Sequence, residues 1–440
     1  MQRLMIGLLA MSALFLACGP SLGNGEGAQA ADAPPGADAG LEAAATGADG
    51  GSAAAGRSLD RIVTGNTRFA LDLYGRLKGD GNLFFSPYSV STALAMTYAG
   101  ARGETEREMA EVLGFAVADP PGEESAIREE VARAFAALED RLTADPETRG
   151  YSLHVANSLW GHLDYPFLDS YAGFVDEHFD APLTLVDFVR DAEGARVRIN
   201  AWVEERTRER IKDLIPQGTL TPATVLVLTN AIYFKGNWAE EFDPERTRDA
   251  EFHGLAGTTT VPMMGRKGDY GYHETEDVQV LEMPYEDGDL SMILFLPKVE
   301  GPAGLNALDR ALTPENLDGW IGKLREREVA VSIPRFEMTW GTKELKSALQ
   351  TLGMERAFRA GEADFSGMSA TGPLFIGHVL HKAFVEVNEQ GTEAAAATAV
   401  TMLKTAMPTL FRADRPFVFM IRDGETGSVL FLGRITDLGE

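Results

Sequence analysis

Side chains capable of chemistry are numerous, but few stand at the spacings that enzyme sites use. The 440 residues include 66 aspartates and glutamates, 7 histidines and 1 cysteine. The sequence has no Gly-rich phosphate loop ending in Gly-Lys-Ser or Gly-Lys-Thr, no Gly-x-Ser-x-Gly and no His-Glu-x-x-His. His378 and His381 fall in a predicted strand at a spacing that points them to opposite faces, so we interpret both as structural. No pattern supports an enzyme, and we expect neither a metal nor a cofactor.

Cys18 is the one side chain whose position indicates a covalent modification. It follows a positively charged start and an apolar run, Leu4–Ala17, that is too short for a stable membrane anchor and is typical of an export signal. The segment Leu14–Cys18 resembles a bacterial lipobox, in which the thiol is lipid-modified and becomes the mature N-terminus. The sequence therefore predicts a signal peptide over residues 1–17 and lipid attachment at Cys18. An ordinary secretory signal with an incidental cysteine is the alternative.

Residues 19–57 are predicted to be a disordered tether. They contain no aromatic residue and are rich in Gly, Ala and Pro, so they bury too little apolar surface to fold. We expect an exported protein that is lipid-anchored to the bacterial envelope, at the outer membrane or cell surface, or else secreted.

The remaining residues, 58–440, have the composition of a single globular domain. The whole chain is 45% hydrophobic and 24% charged, with a net charge of −26. This composition excludes a fibrous or wholly disordered chain. The negative charge argues against nucleic acid as a partner and against membrane contact other than through the lipid.

Residues 389–408 form an unusual segment. From Ala394 to Leu403 there is no charge, proline or glycine. With the period of a strand, one face carries only small or apolar residues: Thr392, Ala394, Ala396, Thr398, Val400 and Met402. This pattern suits a strand that can enter an existing sheet. On these residues alone, an alanine-rich surface helix or a flexible connector is the alternative.

The elements around this segment indicate an α+β fold. Helices are predicted from Asn66, after the cap Ser86-Pro87, from a Thr105/Glu108 capping box to Gly114, and over Arg128–Leu142 and Val197–Leu214. Strands are predicted at Leu153–Trp160, Val225–Phe234, Val278–Met283, Ser291–Leu296, Val329–Phe336, Leu374–Val387, Phe417–Ile421 and Val429–Ile435. Helices concentrate early in the chain and strands late, which favours large sheets over a regular βαβ array.

Several segments, in order, resemble signatures of the serpins, a family of suicide-substrate inhibitors of serine proteases. They are Asn82–Val90, Thr229–Trp238, Val261–Met264, His381–Ala383, Glu389–Thr398 and Arg415–Phe419. The resemblance covers residues 58–440. It implies three β-sheets, about nine helices and an exposed reactive loop at about 389–411.

The resemblance also implies a mechanism. A serine protease attacks the loop and forms an acyl-enzyme, and the cut loop then inserts as a new strand, so the inhibitor is consumed and is no enzyme. Family spacing from Gly391 places the reactive bond at Thr405-Ala406. The small Thr405 favours an elastase-like or subtilisin-like target. Cleavage after Lys404, by a trypsin-like target, is the alternative.

Further site residues follow from the same resemblance. The hinge of the loop comprises Glu389, Gly391, Thr392, Glu393, Ala394, Ala395, Ala396, Ala397 and Thr398. Ser86, Ser89, Asn230 and His381 match a hydrogen-bonding cluster beneath the sheet, Trp238 matches an aromatic near the point where the loop enters, and Arg335 pairs with Glu389. We expect a monomer. A non-inhibitory serpin acting as chaperone or carrier, and a solute-binding lipoprotein, are the competing hypotheses.

Overall fold

The computed structural model describes residues 47–115, 124–143, 150–286, 288–371, 374–392 and 409–439. Gly50–Glu440 form one compact unit. The predicted signal peptide, Cys18 and the tether before residue 47 lie outside the described residues, as do Glu393–Thr398, Lys404 and the Thr405-Ala406 bond. Among the described helices, none has the length and apolar character needed to cross a membrane.

Nine α-helices occur in the described part of the chain. They are α1 (Gly47–Leu77), α2 (Pro87–Gly100), α3 (Gly103–Leu113), α4 (Glu124–Thr143), α5 (Asp169–Phe179), α6 (Ala192–Arg206), α7 (Gly301–Ala311), α8 (Pro314–Ile321) and α9 (Lys346–Leu352). Helix α2 is buried along its whole length. This explains why its sequence is apolar or small on every side.

The same described residues form fifteen strands. They are β1 (Leu83–Phe85), β2 (Tyr151–His162), β3 (Thr184–Val186), β4 (Leu226–Asn237), β5 (Arg248–His253), β6 (Thr258–Glu274), β7 (Val278–Pro284), β8 (Leu290–Pro297), β9 (Arg325–Pro334), β10 (Phe336–Glu344), β11 (Val379–Val387), β12 (Gly391–Thr392), β13 (Thr409–Arg412), β14 (Phe417–Asp423) and β15 (Val429–Ile435).

In the described residues the strands form two hydrogen-bonded networks. The larger runs β1-β15-β14-β8-β7-β6-β9-β13, with β5 added to β6. Strand β6 pairs with β5 through its first half, with β7 through its end and with β9 over ten residue pairs. The described strands thus form two networks, where the resemblance implied three sheets, because β6 is shared by β5, β7 and β9. The α+β class is confirmed.

The smaller sheet runs β10-β11-β4-β2-β3, with β12 added to the end of β4. Its central pair, β11 and β4, is parallel, from Val379 opposite Leu228 to Phe384 opposite Tyr233. We call this pair the seam. The flanking pairs β10–β11 and β2–β4 are antiparallel.

Side chains alternate across the seam between two hydrophobic cores. On β11, Ala383 and Val385 face the main core, which includes α2 and both sheets. Leu380 and Phe384 face a smaller core beneath α6. The period-2 alternation of a strand places consecutive residues on opposite faces, so the seam separates the two cores.

Helix α1 begins at Gly47, so the prediction of a start at Asn66 is wrong and residues 47–57 are helical instead of tether. Asn66 and Thr67 resemble caps, but they lie inside the helix, where the Thr67 hydroxyl donates to the carbonyl of Val63. Val63 is itself buried. The apolar pattern that packs the helix thus extends before the polar pair.

The Thr105/Glu108 capping box is also wrong. Helix α3 begins at Gly103, and the Thr105 hydroxyl instead accepts the backbone N–H of Asp364. The Glu108 carboxylate accepts the N–H groups of Glu355 and Arg356. Both side chains fasten a distant loop, which local sequence cannot indicate.

The bounds of α6 and β11 also differ from the predictions. Helix α6 begins at Ala192, because the Asp191 carboxylate caps the N–H of Gly194, and ends at Arg206 instead of Leu214. Strand β11 begins at Val379, five residues after the predicted Leu374.

Candidate functional site

The chain makes a tight turn at the end of β11 and begins a new strand beside β4. Thr392 of β12 lies opposite Gly236, and Gly391 lies opposite Asn237, in antiparallel register. Strand β12 therefore starts at the end of the seam. A strand that continued from it would run antiparallel to β4, along the line where β11 and β4 meet.

The turn between β11 and β12 depends on Asn388 and Gly391. The Asn388 side-chain oxygen accepts the N–H groups of Gln390 at 3.1 Å and Gly391 at 3.2 Å. Gly391 has φ of +140°, and a Cβ there would lie 2.2 Å from the carbonyl oxygen of Gly236. Only glycine fits this close approach of the two backbones.

Trp238 holds the turn from the side of β4. Its backbone N–H donates to the carbonyl of Gln390 at 2.9 Å, and its indole Nε1 donates to the carbonyl of Asn388 at 3.0 Å. The indole stacks on Tyr285, with ring centroids 4.8 Å apart. The predicted aromatic therefore lies where the loop leaves the sheet.

Glu389 occupies a buried position in the turn. Its carboxylate accepts the Thr247 hydroxyl at 2.8 Å and lies 3.7 Å from the Arg335 guanidinium. Its backbone carbonyl accepts the N–H of Phe242 at 2.7 Å. The structure brings the predicted Glu389–Arg335 pair together and adds Thr247, which no sequence pattern marked.

Beneath the seam, on the main-core face, a buried polar cluster links α2 to both strands. His381 lies directly opposite Asn230 across the seam, and its Nδ1 hydrogen-bonds the Asn230 side-chain oxygen. His381 Nε2 accepts the backbone N–H of Ser86 at 3.1 Å, so Nδ1 carries the proton. The Ser86 hydroxyl caps α2 by accepting the N–H of Ser89.

Asn157 of β2 completes the cluster and was missed from the sequence. The Asn230 amide donates to the Asn157 side-chain oxygen at 2.7 Å and to the Ser89 hydroxyl at 2.6 Å. The Ser89 hydroxyl in turn donates to Asn157. All four predicted residues are therefore in one network with a fifth member.

Burial lowers the pKa of His381 to about 3. The imidazole is therefore neutral at ordinary pH, which its hydrogen bonds as one donor and one acceptor require. The cluster fastens β11 to β4 from below with no charge in it. Its arrangement suits a structural switch between strands rather than acid–base chemistry.

Of the predicted hinge, the structure describes Glu389, Gly391 and the backbone of Thr392. The residues that would follow into the seam, and the reactive bond, lie beyond the described part of this loop. Within the described residues, no group of three His, Cys, Asp or Glu side chains is placed to hold a metal ion.

The family model "Serpin (serine protease inhibitor)" matches residues 64–438. The chain belongs to the serpin family. It is 40% identical over 380 residues to an uncharacterised serpin-like protein of Thermococcus kodakarensis, covering 85% of each chain. It is also 40% identical over 392 residues to the leukocyte elastase inhibitor of Homo sapiens, covering 86% of this chain and all of that one.

Solved serpin structures share this architecture. Human thyroxine-binding globulin matches with a TM-score of 0.77 and 30% identity, over 87% of this chain and 100% of that one. Serpin48 of the insect Tenebrio molitor matches with a TM-score of 0.74 and 30% identity, over 86% and 98%.

Proposed function

We propose that this serpin inhibits a serine protease as a suicide substrate, with Thr405-Ala406 as the reactive bond. The observation that carries the proposal is β12, an antiparallel strand already begun at the end of a parallel seam. After acylation at Thr405 and cleavage, the segment that follows Thr392 enters between β11 and β4 and takes the protease with it.

The register of β12 assigns a position to each entering residue. Each further step along the loop is matched by one step back along β4 from Gly236. Ala394 then lies opposite Phe234, and Thr398 opposite Asn230. Residues opposite each other in an antiparallel pair share a face. Phe234 faces the main core, so the small, uncharged face of the loop enters that core.

The entering strand supplies enough free energy to disable a protease. It replaces one parallel pairing by two antiparallel ones and adds on the order of ten backbone hydrogen bonds at about 1 kcal/mol net each. This approaches the whole stability of a typical domain, about 5–15 kcal/mol. The intact protein is thus held short of its most stable arrangement.

An elastase-like or subtilisin-like protease is the proposed target. Thr405 is small and β-branched and suits a shallow specificity pocket, and relatives of similar length carry the name leukocyte elastase inhibitor. A trypsin-like protease acting after Lys404 is the alternative target. We further propose that the inhibitor acts outside the cell, as a monomer held at the envelope by lipid on Cys18.

Incubation with elastase, subtilisin and trypsin tests the proposal. We expect an SDS-stable complex with elastase or subtilisin, and a released C-terminal fragment that begins at Ala406 by mass spectrometry. A fragment that begins at Thr405 would move the bond to Lys404. Clean cleavage by all three proteases without any complex would overturn inhibition and favour a carrier or chaperone.

Thr392→Arg should convert the inhibitor into a substrate. The register that brings Ala394 to the main-core face brings residue 392 to the same face once the loop inserts, and burying an unpaired guanidinium there opposes insertion. Glu393→Arg is the matched control, because strand alternation directs residue 393 to the other face. SDS gels should show complex for Glu393→Arg and cleaved product alone for Thr392→Arg. Equal complex yields in both variants would contradict the assigned register.

A further inference from the structure

The segment that follows α6 crosses the seam on the face opposite the polar cluster. We call residues 207–215 the strap. Ile211, Leu214 and Ile215 of the strap are fully buried in the smaller core, together with seam residues of β4 and β11. The seam is therefore covered on this face by a segment packed on both of its strands.

Arg210 of the strap contacts both strands at one place. Its guanidinium carbon lies 5.9 Å from the ring centroid of Tyr233 on β4 and 5.4 Å from that of Phe384 on β11. These two residues are the last pair of the seam, at the end nearest β12, and their ring centroids are 6.1 Å apart. The guanidinium also lies 3.9 Å from the carboxylate of Glu386 on β11.

Other contacts fix the strap across the sheet. The Lys382 ammonium of β11 donates to the carbonyl of Lys212 at 2.7 Å. The Thr342 hydroxyl of β10 donates to the carbonyl of Leu214 at 3.0 Å. At its end, Ile215 exchanges backbone hydrogen bonds with the side chain of Asn200 on α6. The strap thus reaches from α6 over β4 and β11 to β10.

The backbone of the strap is strained. Arg208, Glu209 and Asp213 adopt left-handed conformations, with φ of +50°, +61° and +49°. Side chains with a Cβ disfavour this region, and three such residues in a short segment persist only where packing holds them. Lifting the strap would relieve this strain.

We propose that Arg210 is a latch that holds the seam closed and sets the rate at which the reactive loop inserts, an inference that rests on the proposed function. An entering strand separates β4 from β11 by one further strand spacing, about 4.8 Å. Ala395, which the register places opposite Tyr233, would occupy the space between the two rings. Arg210 then no longer lies over both of them, so this contact is lost before insertion is complete.

Hydrogen–deuterium exchange of the intact protein tests the latch without any protease. Arg210→Met keeps the apolar stem and removes the cation over the two rings. We expect amide exchange in Val379–Val387 to accelerate by about three- to tenfold. Arg206→Met is the matched control, because Arg206 lies over Trp202 of its own helix, 5.5 Å from the ring, and does not cross the seam. Unchanged exchange in Arg210→Met, or equal acceleration in both variants, would overturn the latch.

A second variant should act in the opposite direction. Glu209→Gly removes the steric cost of the left-handed conformation, so the closed strap becomes more stable and exchange in β11 should slow. Exchange that is as fast as in Arg210→Met would contradict the role assigned to strain.

The same variants connect the latch to inhibition. Loop insertion competes with deacylation of the acyl-enzyme, and faster insertion wins more often. Fewer molecules of Arg210→Met than of the unaltered chain should therefore be consumed for each protease trapped. If the unaltered chain forms no complex, the proposed function fails while the exchange result still decides the latch. If the chain forms complex and Arg210→Met accelerates exchange without lowering the stoichiometry, the latch does not set the insertion rate.

Discussion

His381 and Asn230 illustrate how single residues control the seam. They face each other across β11 and β4. His381 also bonds Ser86, the cap of α2, and Asn230 bonds Ser89 within α2. Both side chains are buried, at 0% and 1% exposure. When a buried polar group loses its hydrogen-bond partner, the folded state is destabilised by more than the net contribution of that hydrogen bond. The pair therefore stabilises the closed seam and opposes opening by anything that cannot replace its bonds.

His381→Phe should destabilise the intact protein by about 2–5 kcal/mol, because it leaves the Ser86 N–H and the Asn230 oxygen unpaired in the core. Thermal unfolding of the uncleaved chain measures this. His378→Phe is the control, since His378 is exposed and its Nδ1 hydrogen-bonds the Glu344 carboxylate at the surface. A similar loss in both variants would contradict the role of the cluster.

Glu139 of α4 should make stability depend on pH. Burial, followed by the nearby charges of Asp180 and Asp140, raises its pKa to about 7. Because the folded pKa exceeds the ordinary value of 4.5, the protonated form is favoured by folding. The charge therefore costs stability progressively as pH rises from about 4.5 to 7, and the full cost persists above 7.

Glu139→Gln removes this titration. We expect the variant to unfold at a higher temperature than the unaltered chain at pH 8, with a difference of roughly 2 kcal/mol that shrinks towards pH 5. Unfolding midpoints of both chains across this range measure the effect. A difference that is constant with pH would show that Glu139 is not the titrating group.

At the residue level, the family resemblance predicted more of the site than the chemical character of single side chains did. The resemblance predicted Ser86, Asn230 and His381, which the structure places in one cluster. Asn157 and Thr247 were not predicted. In a sequence, a polar residue within a strand or just before one has the same appearance whether it faces solvent or a buried site. Only the fold brings them to the seam and to Glu389.

At the scale of elements, the predictions that rest on a few neighbouring residues were confirmed for two helix ends. Ser86 caps α2, and Gly114 ends α3 with φ of +72°, as predicted. Strand β10 was missed although Phe336, Met338 and Trp340 alternate towards the interior, a period-2 signal that the sequence offers. Strand β5 is short and mostly polar, and the second half of β6 is interrupted by Gly265, Gly268 and Gly271, so neither offers such a signal.

Under the proposed function, loop insertion depends on the turn that starts β12. Gly391→Ala should detach it from β4, because the new Cβ would meet the carbonyl oxygen of Gly236. The N–H of Trp238, which donates to Gln390, should then exchange faster with solvent. Gly377→Ala is the control, since a Cβ there meets nothing within 4 Å. Unchanged exchange at Trp238 in Gly391→Ala would show that β12 does not hold the loop start.

For the molecule as a whole, two cores meet at a seam that is fastened on both faces. The polar cluster crosses it from the side of α2, and the strap crosses it from the side of α6. Between them lies a parallel pair of central strands, with a third strand begun at its end. Under the proposed function, this arrangement lasts only until the cut loop enters the sheet.

A single nick within residues 393–408, followed by thermal unfolding, tests this state most directly. Insertion of the cut loop should raise the unfolding midpoint by at least about 10 °C, given on the order of ten new hydrogen bonds. When the Thr392→Arg variant is nicked in the same segment, its thermal unfolding midpoint should equal that of the intact variant. A nicked, otherwise unaltered chain that unfolds at the same temperature as the intact one would contradict the stored free energy on which inhibition depends.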